Sequence, residues 1–208
     1  MSARIERLVT SGTFSLDGGT WDVDNNVWIV GNDDEVIVID PAHDPDEIAT
    51  AVGRRNVRAI LLTHGHDDHI RAAVETGQLL RAPVLLNSAD RMLWDAVHNT
   101  APDGEISGGD RFEVAGVELV AVHTPGHSPG STSFIADALG AVFTGDTLFQ
   151  GGPGATGRSY SDFPTIVESI RESLLTLPDE TVVFTGHGDT TTIADEKPHL
   201  QEWIDRGH

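Results

Sequence analysis

The chain has 208 residues, enough to bury a substantial core without disulfides, and it contains no cysteine. Its 33 acidic residues outnumber its 13 basic residues, and the resulting formal net charge of −20 disfavours nucleic acid as a partner. No apolar run reaches the roughly 18 residues that a membrane span requires. We expect one domain, residues 1–208, without a membrane partner. The N-terminal residues lack the apolar core of a signal peptide, so a cytoplasmic location is expected.

Runs of β-branched and apolar residues predict four strands in the first half of the chain, at 27–30, 36–40, 57–63 and 84–87. Helical spacing predicts three helices, at 45–52, 70–80 and 88–97. Pro45 lies near the start of the first helix, and Ser88 is a candidate N-cap of the third. The polar segment 24–26 precedes the first of these strands and is typical of a turn, with a position at the mouth of a functional site as the alternative.

The second half is predicted to be richer in strands. Antiparallel strands are expected at 112–114, 117–123, 132–136 and 141–144, followed by a helix at 166–175, a strand at 182–185 and a helix at 195–205. Near-continuous apolar strands that alternate with helices favour two sheets, each covered on its outer face by helices. The predicted fold is therefore a four-layer αββα sandwich.

The most informative motif follows the apolar run 59–62 and has the form His64-x-His66-x-Asp68-His69. Side chains two positions apart in an extended chain project to the same side, so His64 and His66 can converge on one point. Asp68 and His69 follow where the chain turns, and they are free to face a second point nearby. Imidazole nitrogen and carboxylate oxygen bind zinc at roughly 2.0–2.2 Å, so this pattern predicts a metal site and not a solvated histidine-rich loop.

Three glycine-bordered turns each present one more candidate ligand after an apolar run. They are His127 in Thr124-Pro-Gly-His-Ser-Pro-Gly130, Asp146 in Phe143-Thr-Gly-Asp-Thr147 and His187 in Phe184-Thr-Gly-His-Gly188. Taken singly, His127 or His187 could be an ordinary turn residue. Their occurrence together with the first cluster favours ligands.

These motifs resemble the metallo-β-lactamase superfamily, and their spelling is similar to its hydroxyacylglutathione hydrolase (glyoxalase II) branch in a short form without the C-terminal helical domain. The resemblance covers nearly the whole chain. It implies that His64, His66 and His127 hold one metal, that Asp68, His69 and His187 hold the other, and that Asp146 bridges the two.

Two cations in such a site, expected to be Zn²⁺ with iron as the alternative, would acidify a bridging water near neutral pH. The resulting hydroxide would attack an acyl carbonyl, so no protein nucleophile is required. Asp68 and Asp146 are the residues expected to act with this hydroxide. The predicted activity is metal-dependent hydrolysis of a small-molecule thioester.

The segment Gly157-Arg158-Ser159-Tyr160 is similar to a glyoxalase II segment in which a basic residue and a tyrosine contact glutathione. Arg158 and Tyr160 are therefore candidate substrate contacts, although an ordinary structured loop is the alternative. Arg158 suits a carboxylate because its guanidinium can bind both oxygens. Only residues 188–208 follow His187, so the resemblance leaves the thiol open between glutathione and mycothiol. Mycothiol is considered because the single lysine of the chain indicates a GC-rich genome.

Three other functions remain open at this stage. Persulfide dioxygenases of the same superfamily hold one iron with the residues matching His64, His127 and Asp146. A lactonase or β-lactamase is a further hydrolytic possibility. A regulatory domain with structural metals is disfavoured, because seven ligands for two metals leave positions open for water. The sequence does not indicate the oligomeric state.

Overall fold

Two six-stranded sheets face each other in the computed structural model, which describes residues 2–207. Residues 1 and 208 of the predicted domain lie outside the described residues. The first sheet has the order β1-β2-β3-β4-β5-β6, and its strands are Arg4–Leu16, Gly19–Gly31, Glu35–Ile39, Asn56–Leu61, Val84–Leu86 and Gly104–Glu105. Strands β1 to β3 pair antiparallel, whereas β3 to β6 pair parallel.

The second sheet has the order β14-β13-β10-β9-β8-β7. Its strands in chain order are β7 Arg111–Val114, β8 Val117–His123, β9 Thr132–Ala136, β10 Ala141–Gly145, β13 Val182–Thr185 and β14 Thr191–Thr192. A short hairpin, β11 Leu148–Phe149 and β12 Gly152–Pro153, lies between β10 and β13 in the chain. The predicted antiparallel arrangement holds for β7 to β10, whereas β13 pairs parallel with β10.

Helices lie between the strands, and several are shorter than the sequence predicts. They are α1 Pro45–Val52, α2 Asp67–Ile70, α3 Ala73–Leu80, α4 Arg91–Val97, α5 Phe163–Ser169, α6 Ile193–Glu196 and α7 Leu200–Arg206. The helix predicted at 70–80 is interrupted at residues 71–72. The predicted Ser88 cap is wrong, because Asn87 instead caps a 3₁₀ turn, Ser88–Asp90, that precedes α4. The helix predicted at 195–205 is divided by the 3₁₀ turn Lys197–His199.

The apolar residues divide into three layers that match the predicted sandwich. Between the sheets, Trp28, Ile37 and Leu61 pack with Phe134 and Phe143. Residues that alternate with these along the same strands point to the outer faces of the sheets. Helices α1, α3 and α4 cover the outer face of the first sheet, and α5 and α7 cover that of the second. Each large apolar side chain buried in this way stabilises the fold by about 1.5–3 kcal/mol.

The largest departure from the sequence prediction is the hairpin formed by β1 and β2. Residues 4–16 are not predicted as a strand, and the turn predicted at 24–26 is wrong, because this segment lies within β2 and pairs with residues 9–11 of β1. The hairpin turns at Asp17 and Gly18, which both have positive φ. Such a turn matches the twist of paired strands, and glycine adopts it without strain.

The candidate ligands lie at one edge of the sandwich. Asp40 and the motif 64–69 follow the parallel strands β3 and β4, whereas Asp146 and His187 follow the parallel strands β10 and β13. The carboxyl ends of neighbouring parallel strands meet at the same edge of a sheet, which brings these loops together. Among residues 2–207, no helix has both the length and the apolar character that crossing a bilayer demands.

Candidate metal centre

Three histidines converge at the first point of the centre, and we call His64, His66 and His127 the first triad. His66 Nδ1 lies 3.1 Å from His64 Nε2 and 3.0 Å from His127 Nε2. His127 Nδ1 faces the carbonyl oxygen of Ala155 at 2.9 Å, so this nitrogen carries the proton and Nε2 presents a lone pair. His66 Nε2 is buried and has no hydrogen-bond partner among the described residues. Close approach of ring nitrogens with inward lone pairs is the arrangement that a cation stabilises.

Asp68, His69 and His187 form a second triad beside the first. His187 Nε2 lies 3.3 Å from both Asp68 Oδ2 and His69 Nε2, and Asp68 Oδ2 lies 3.5 Å from His69 Nε2. The other ring nitrogen of His187 donates to the Asp24 carbonyl oxygen at 2.7 Å. The other nitrogen of His69 faces Asp40 Oδ2 at 3.0 Å. Both Nε2 atoms are thereby directed at the triad.

Asp146 contacts both triads through its two oxygens. Oδ2 lies 3.5 Å from His127 Nε2 and 3.4 Å from His187 Nε2, and Oδ1 lies 3.4 Å from His69 Nε2. Oδ1 is buried without a hydrogen bond from any described residue. Gly186 allows this position, because a Cβ there would lie 2.2 Å from Asp146 Oδ1. The structure thus brings all seven sequence-predicted ligands into one site.

These distances fit a metal ion at each triad. A tetrahedral ion with bonds of about 2.0–2.1 Å separates its ligand atoms by roughly 3.3 Å, which is close to the separations within both triads. The donors are imidazole nitrogens and carboxylate oxygens, a set that suits zinc and iron alike. An ion at the second triad would also explain why Asp146 Oδ1, which faces His69 Nε2, has no hydrogen-bond partner among the described residues.

The two triads differ in charge. Burial lowers the pKa of His66 to about 3 and keeps the pKa of His64 well below its usual value, so both rings are neutral near pH 7. Burial also opposes the charged form of His187, but the carboxylates of Asp146 and Asp68 prevail and raise its pKa to about 10. The first triad is therefore ready to bind a cation, whereas His187 holds a proton.

His69 and the two carboxylates complete the charge pattern of the second triad. Burial acts to lower the pKa of His69, but Asp68 and Asp146 raise it well above its usual value. Burial acts to raise the pKa of Asp68, yet His69 and the hydrogen bond to His187 bring it down to about 2. In the metal-free protein, cationic imidazoles and carboxylates thus hold each other in place.

Two carboxylates that the sequence analysis did not single out hold the ligand loops. Asp40 accepts hydrogen bonds from the backbone nitrogen and the hydroxyl of Thr63 at 2.7 and 2.6 Å, and it orients His69. Its φ of +50° is in the left-handed region, where a non-glycine residue is strained. Asp90 is fully buried and accepts from the nitrogens of Gly65 and Gly130 and from the Ser128 hydroxyl. Asp90 therefore joins the motif loop to the His127 loop.

A cavity of about 310 Å³ opens over the triads. Phe14 and Trp21 of the β1–β2 hairpin, together with Phe149, provide an apolar wall. The predicted contact Arg158 lines this cavity and stacks on Trp21, with the guanidinium carbon 3.9 Å from the ring centre. Trp21 is 41% exposed. Tyr160 is not among the lining residues and is 56% exposed, so its predicted substrate contact stays a prediction.

The family model of the metallo-β-lactamase superfamily matches residues 20–187, a segment that contains both triads and Asp146. The chain belongs to the metallo-β-lactamase superfamily. The predicted resemblance and the αββα fold are confirmed. Together with the cluster of histidines and aspartates, the family makes the chain a metal-dependent hydrolase.

Similar proteins are found within this metallo-β-lactamase superfamily. Hydroxyacylglutathione hydrolase GloC of Haemophilus influenzae is 34% identical over 183 residues, which span 79% of this chain and 86% of that protein. The crystal structure of BLEG-1 B3 metallo-β-lactamase has 30% sequence identity and a TM-score of 0.78, and the match covers 93% of this chain and 99% of that chain. The structure of TTHA1623 in a di-iron-bound form is 28% identical, has a TM-score of 0.75 and covers 90% of this chain and 96% of its own.

Proposed function

We propose that the chain hydrolyses a thioester of a low-molecular-weight thiol of the glutathione or mycothiol type, with two divalent cations, expected to be Zn²⁺, held by the two triads and Asp146. The observation that carries this proposal is the position of Asp146, whose carboxylate lies 3.4–3.5 Å from nitrogens of both triads. The 34% identity with a hydroxyacylglutathione hydrolase supports the thioester class.

The side chains of the centre would place and balance the cations. Asp68 and Asp146 supply the negative charge, whereas His64 and His66 of the first triad are neutral donors. Hydrogen bonds on the far side of the rings fix their orientation, from His127 to Ala155 and from His187 to Asp24. When bound, divalent cations supply Lewis acidity that activates water and polarises a carbonyl.

The cavity would select the substrate. Its aromatic wall of Phe14, Trp21 and Phe149 suits the apolar part of an acyl or thiol group. Asp17 interacts electrostatically with Arg158, but no carboxylate among residues 2–207 lies within ion-pair distance of it, so the guanidinium donors can bind an anionic group of the thiol. We therefore expect thioesters whose thiol carries a carboxylate to react better than neutral analogues.

Metal analysis followed by a substrate panel tests this function. The purified protein should contain two ions of zinc or iron per chain and lose activity when a chelator removes them. The panel compares hydroxyacyl thioesters of glutathione, of mycothiol and of a neutral thiol with a lactone, a β-lactam and a glutathione persulfide. We expect kcat/KM of at least about 10⁴ M⁻¹s⁻¹ for one carboxylate-bearing or mycothiol thioester.

The other outcomes of the panel would each replace the proposed reaction with a different function. Turnover of the lactone or the β-lactam with every thioester inert would replace the thioester assignment. A single iron per chain together with oxygen consumption on the persulfide would identify a dioxygenase. A metal-loaded protein that is inert towards all of these compounds would favour a structural role for the metals.

The two ions should differ in the number of protons that they displace. Near pH 7 the first ion enters the first triad, where His64 and His66 carry no proton to release. The second ion must displace the protons of His69 and His187, because their raised pKa values keep both rings charged. Its apparent affinity should therefore rise with pH, about tenfold per pH unit for each proton displaced, until the pKa of about 10 is passed.

Calorimetric titration with Zn²⁺ in two buffers of different ionisation enthalpy measures these protons. We expect close to two protons to be released with the second equivalent, and fewer with the first. Equal proton release for both equivalents, or a second affinity that is independent of pH between 6 and 8, would contradict the charge pattern of the two triads.

A further inference from the structure

Asn25 lies in β2 and is completely buried beside the second triad. Its Nδ2 lies 3.0 Å from Asp68 Oδ2, and its Oδ1 lies 2.7 Å from His43 Nε2. Both ends of this amide are therefore occupied by residues distant in the chain. One of them belongs to the candidate metal centre and the other does not.

The hydrogen-bonding capacity of each group fixes the direction of this contact. A carboxylate only accepts, so the amide nitrogen of Asn25 donates to Asp68. The amide oxygen then faces His43, which must carry its proton on Nε2. The reverse orientation of the amide would place its oxygen against Asp68 Oδ2 and lose that hydrogen bond, because a carboxylate cannot donate. Asp68 thus determines which way the amide of Asn25 points, His43 holds the amide oxygen by donating from Nε2, and Asn25 restrains one oxygen of Asp68.

The position of His43 is itself fixed by packing. This half-buried residue has a φ of +59° and follows the fully buried Ala42. Its ring occupies the space next to Gly12 in β1, where a Cβ would lie 2.2 Å from His43 Nδ1. The absence of a side chain at residue 12 is therefore what admits the ring. A continuous line of contacts runs from Gly12 through His43 and Asn25 to Asp68.

The same short segment of β2 also holds the other loop of the second triad. The carbonyl of Asp24 accepts from His187, and Asn26 Nδ2 donates to the carbonyls of Thr185 and Gly188 at 3.0 and 2.9 Å. Within residues 2–207, no hydrogen bond joins this segment to the first triad. The loops of the first triad are held instead by Asp90, which accepts hydrogen bonds from the nitrogen of Gly65 and the hydroxyl of Ser128.

We propose that Asn25, held by a hydrogen bond from His43, is a positioning residue for Asp68 that sets the affinity of the second triad for its ion without altering the affinity of the first triad. This inference rests on the proposed two-metal centre but not on the identity of the substrate. Replacing a hydrogen-bond partner of a metal ligand typically lowers metal affinity 10- to 100-fold. An effect of this size confined to one of two ions separates positioning from a general loss of structure.

Zinc titration of the full chain carrying Asn25→Leu tests the proposal. Leucine has nearly the shape of asparagine but no polar atoms. We expect the second ion to bind 10- to 100-fold more weakly and the first to bind as in the wild type. The matched control is Asn32→Leu, which removes a residue that accepts from the nitrogens of Asp34 and Glu35 beyond the far end of β2. The control should keep both affinities.

Two variants that do not touch Asp68 give an independent measurement. His43→Asn tolerates the positive φ but does not reach Asn25, and Gly12→Ala displaces the ring of His43. Both variants should lower the affinity for the second ion, but by less than Asn25→Leu does. Unchanged second-ion affinity in all three variants, or equal weakening of both ions, would overturn the proposal. Selective loss of the second ion supports it even if every thioester is inert, a result that would overturn only the proposed substrate.

Discussion

Asp146→Asn should lower kcat/KM for the preferred substrate by about a thousandfold, the effect of losing roughly 4 kcal/mol of stabilisation by the cations. The physical reason is that one carboxylate lies between the two triads. Its oxygens are 3.5 Å from His127 Nε2 and 3.4 Å from His69 Nε2 and His187 Nε2. Asparagine removes the charge and directs an amide N–H group at a site that binds cations, so both ions should be weakened.

The matched control is Asp137→Asn, which makes the same substitution at an exposed residue in the 3₁₀ turn Asp137–Leu139. Its metal content and kcat/KM should equal those of the wild type. Metal content is measured by elemental analysis after dialysis, alongside steady-state kinetics. An Asp146→Asn protein that retains two ions and hydrolyses within tenfold of the wild-type rate would show that Asp146 does not bridge the two triads.

The ligands could be predicted from the sequence because each one follows an apolar strand within a few residues. The spacing within the motif 64–69 already places its side chains near one another, and each of the three later turns is bordered by glycine. The structure explains these glycines by close approach: a Cβ at Gly145 would lie 2.3 Å from the Thr63 hydroxyl oxygen, and one at Gly186 would meet Asp146. Local pattern and long-range packing agree at these positions.

The residues that hold the ligands were harder to predict, because their partners are distant in the chain. Asp90 has no local motif, and its contacts with Gly65 and Gly130 arise only when the two sheets come together. Asp40 was predicted as the last residue of the strand 36–40, whereas the structure ends this strand at Ile39 and leaves Asp40 free to contact Thr63 and His69. The segment 24–26 has the composition of a turn, but pairing with β1 and contacts with the His187 loop keep it extended.

The aromatic residues of the cavity wall were also hard to predict, because their position depends on contacts between distant parts of the chain. Phe14 and Trp21 face the cavity because the β1–β2 hairpin extends over the metal centre. The polar and aromatic residues of this hairpin show no clear alternation of polarity, so sequence reasoning placed only the end of β2, residues 27–30, in a strand. Arg158 is a candidate contact because its segment resembles one in glyoxalase II, whereas its stacking on Trp21 depends on tertiary contact.

Asp90→Asn should lower the affinity of the first triad for its ion and leave that of the second triad unchanged. This is the opposite of the pattern expected for Asn25→Leu. Asp90 Oδ2 accepts from the nitrogen of Gly65 at 2.7 Å and the hydroxyl of Ser128 at 2.6 Å, and Oδ1 accepts from the nitrogen of Gly130 at 2.6 Å. An amide can keep only one oxygen, so at least one buried N–H or O–H donor will face the new NH₂ group. An unsatisfied buried donor costs about 1–3 kcal/mol.

We therefore expect the free energy of unfolding of metal-free Asp90→Asn to fall by about 1–3 kcal/mol, measured by urea denaturation. Because Asp90 joins the loops that carry His66 and His127, the affinity for the first ion should fall about 10- to 100-fold. Asp110→Asn is the matched control, since this exposed carboxylate accepts one turn hydrogen bond from the nitrogen of Ser107. Wild-type affinity for the first ion in a destabilised Asp90→Asn protein would mean that Asp90 supports the fold but does not position the first triad.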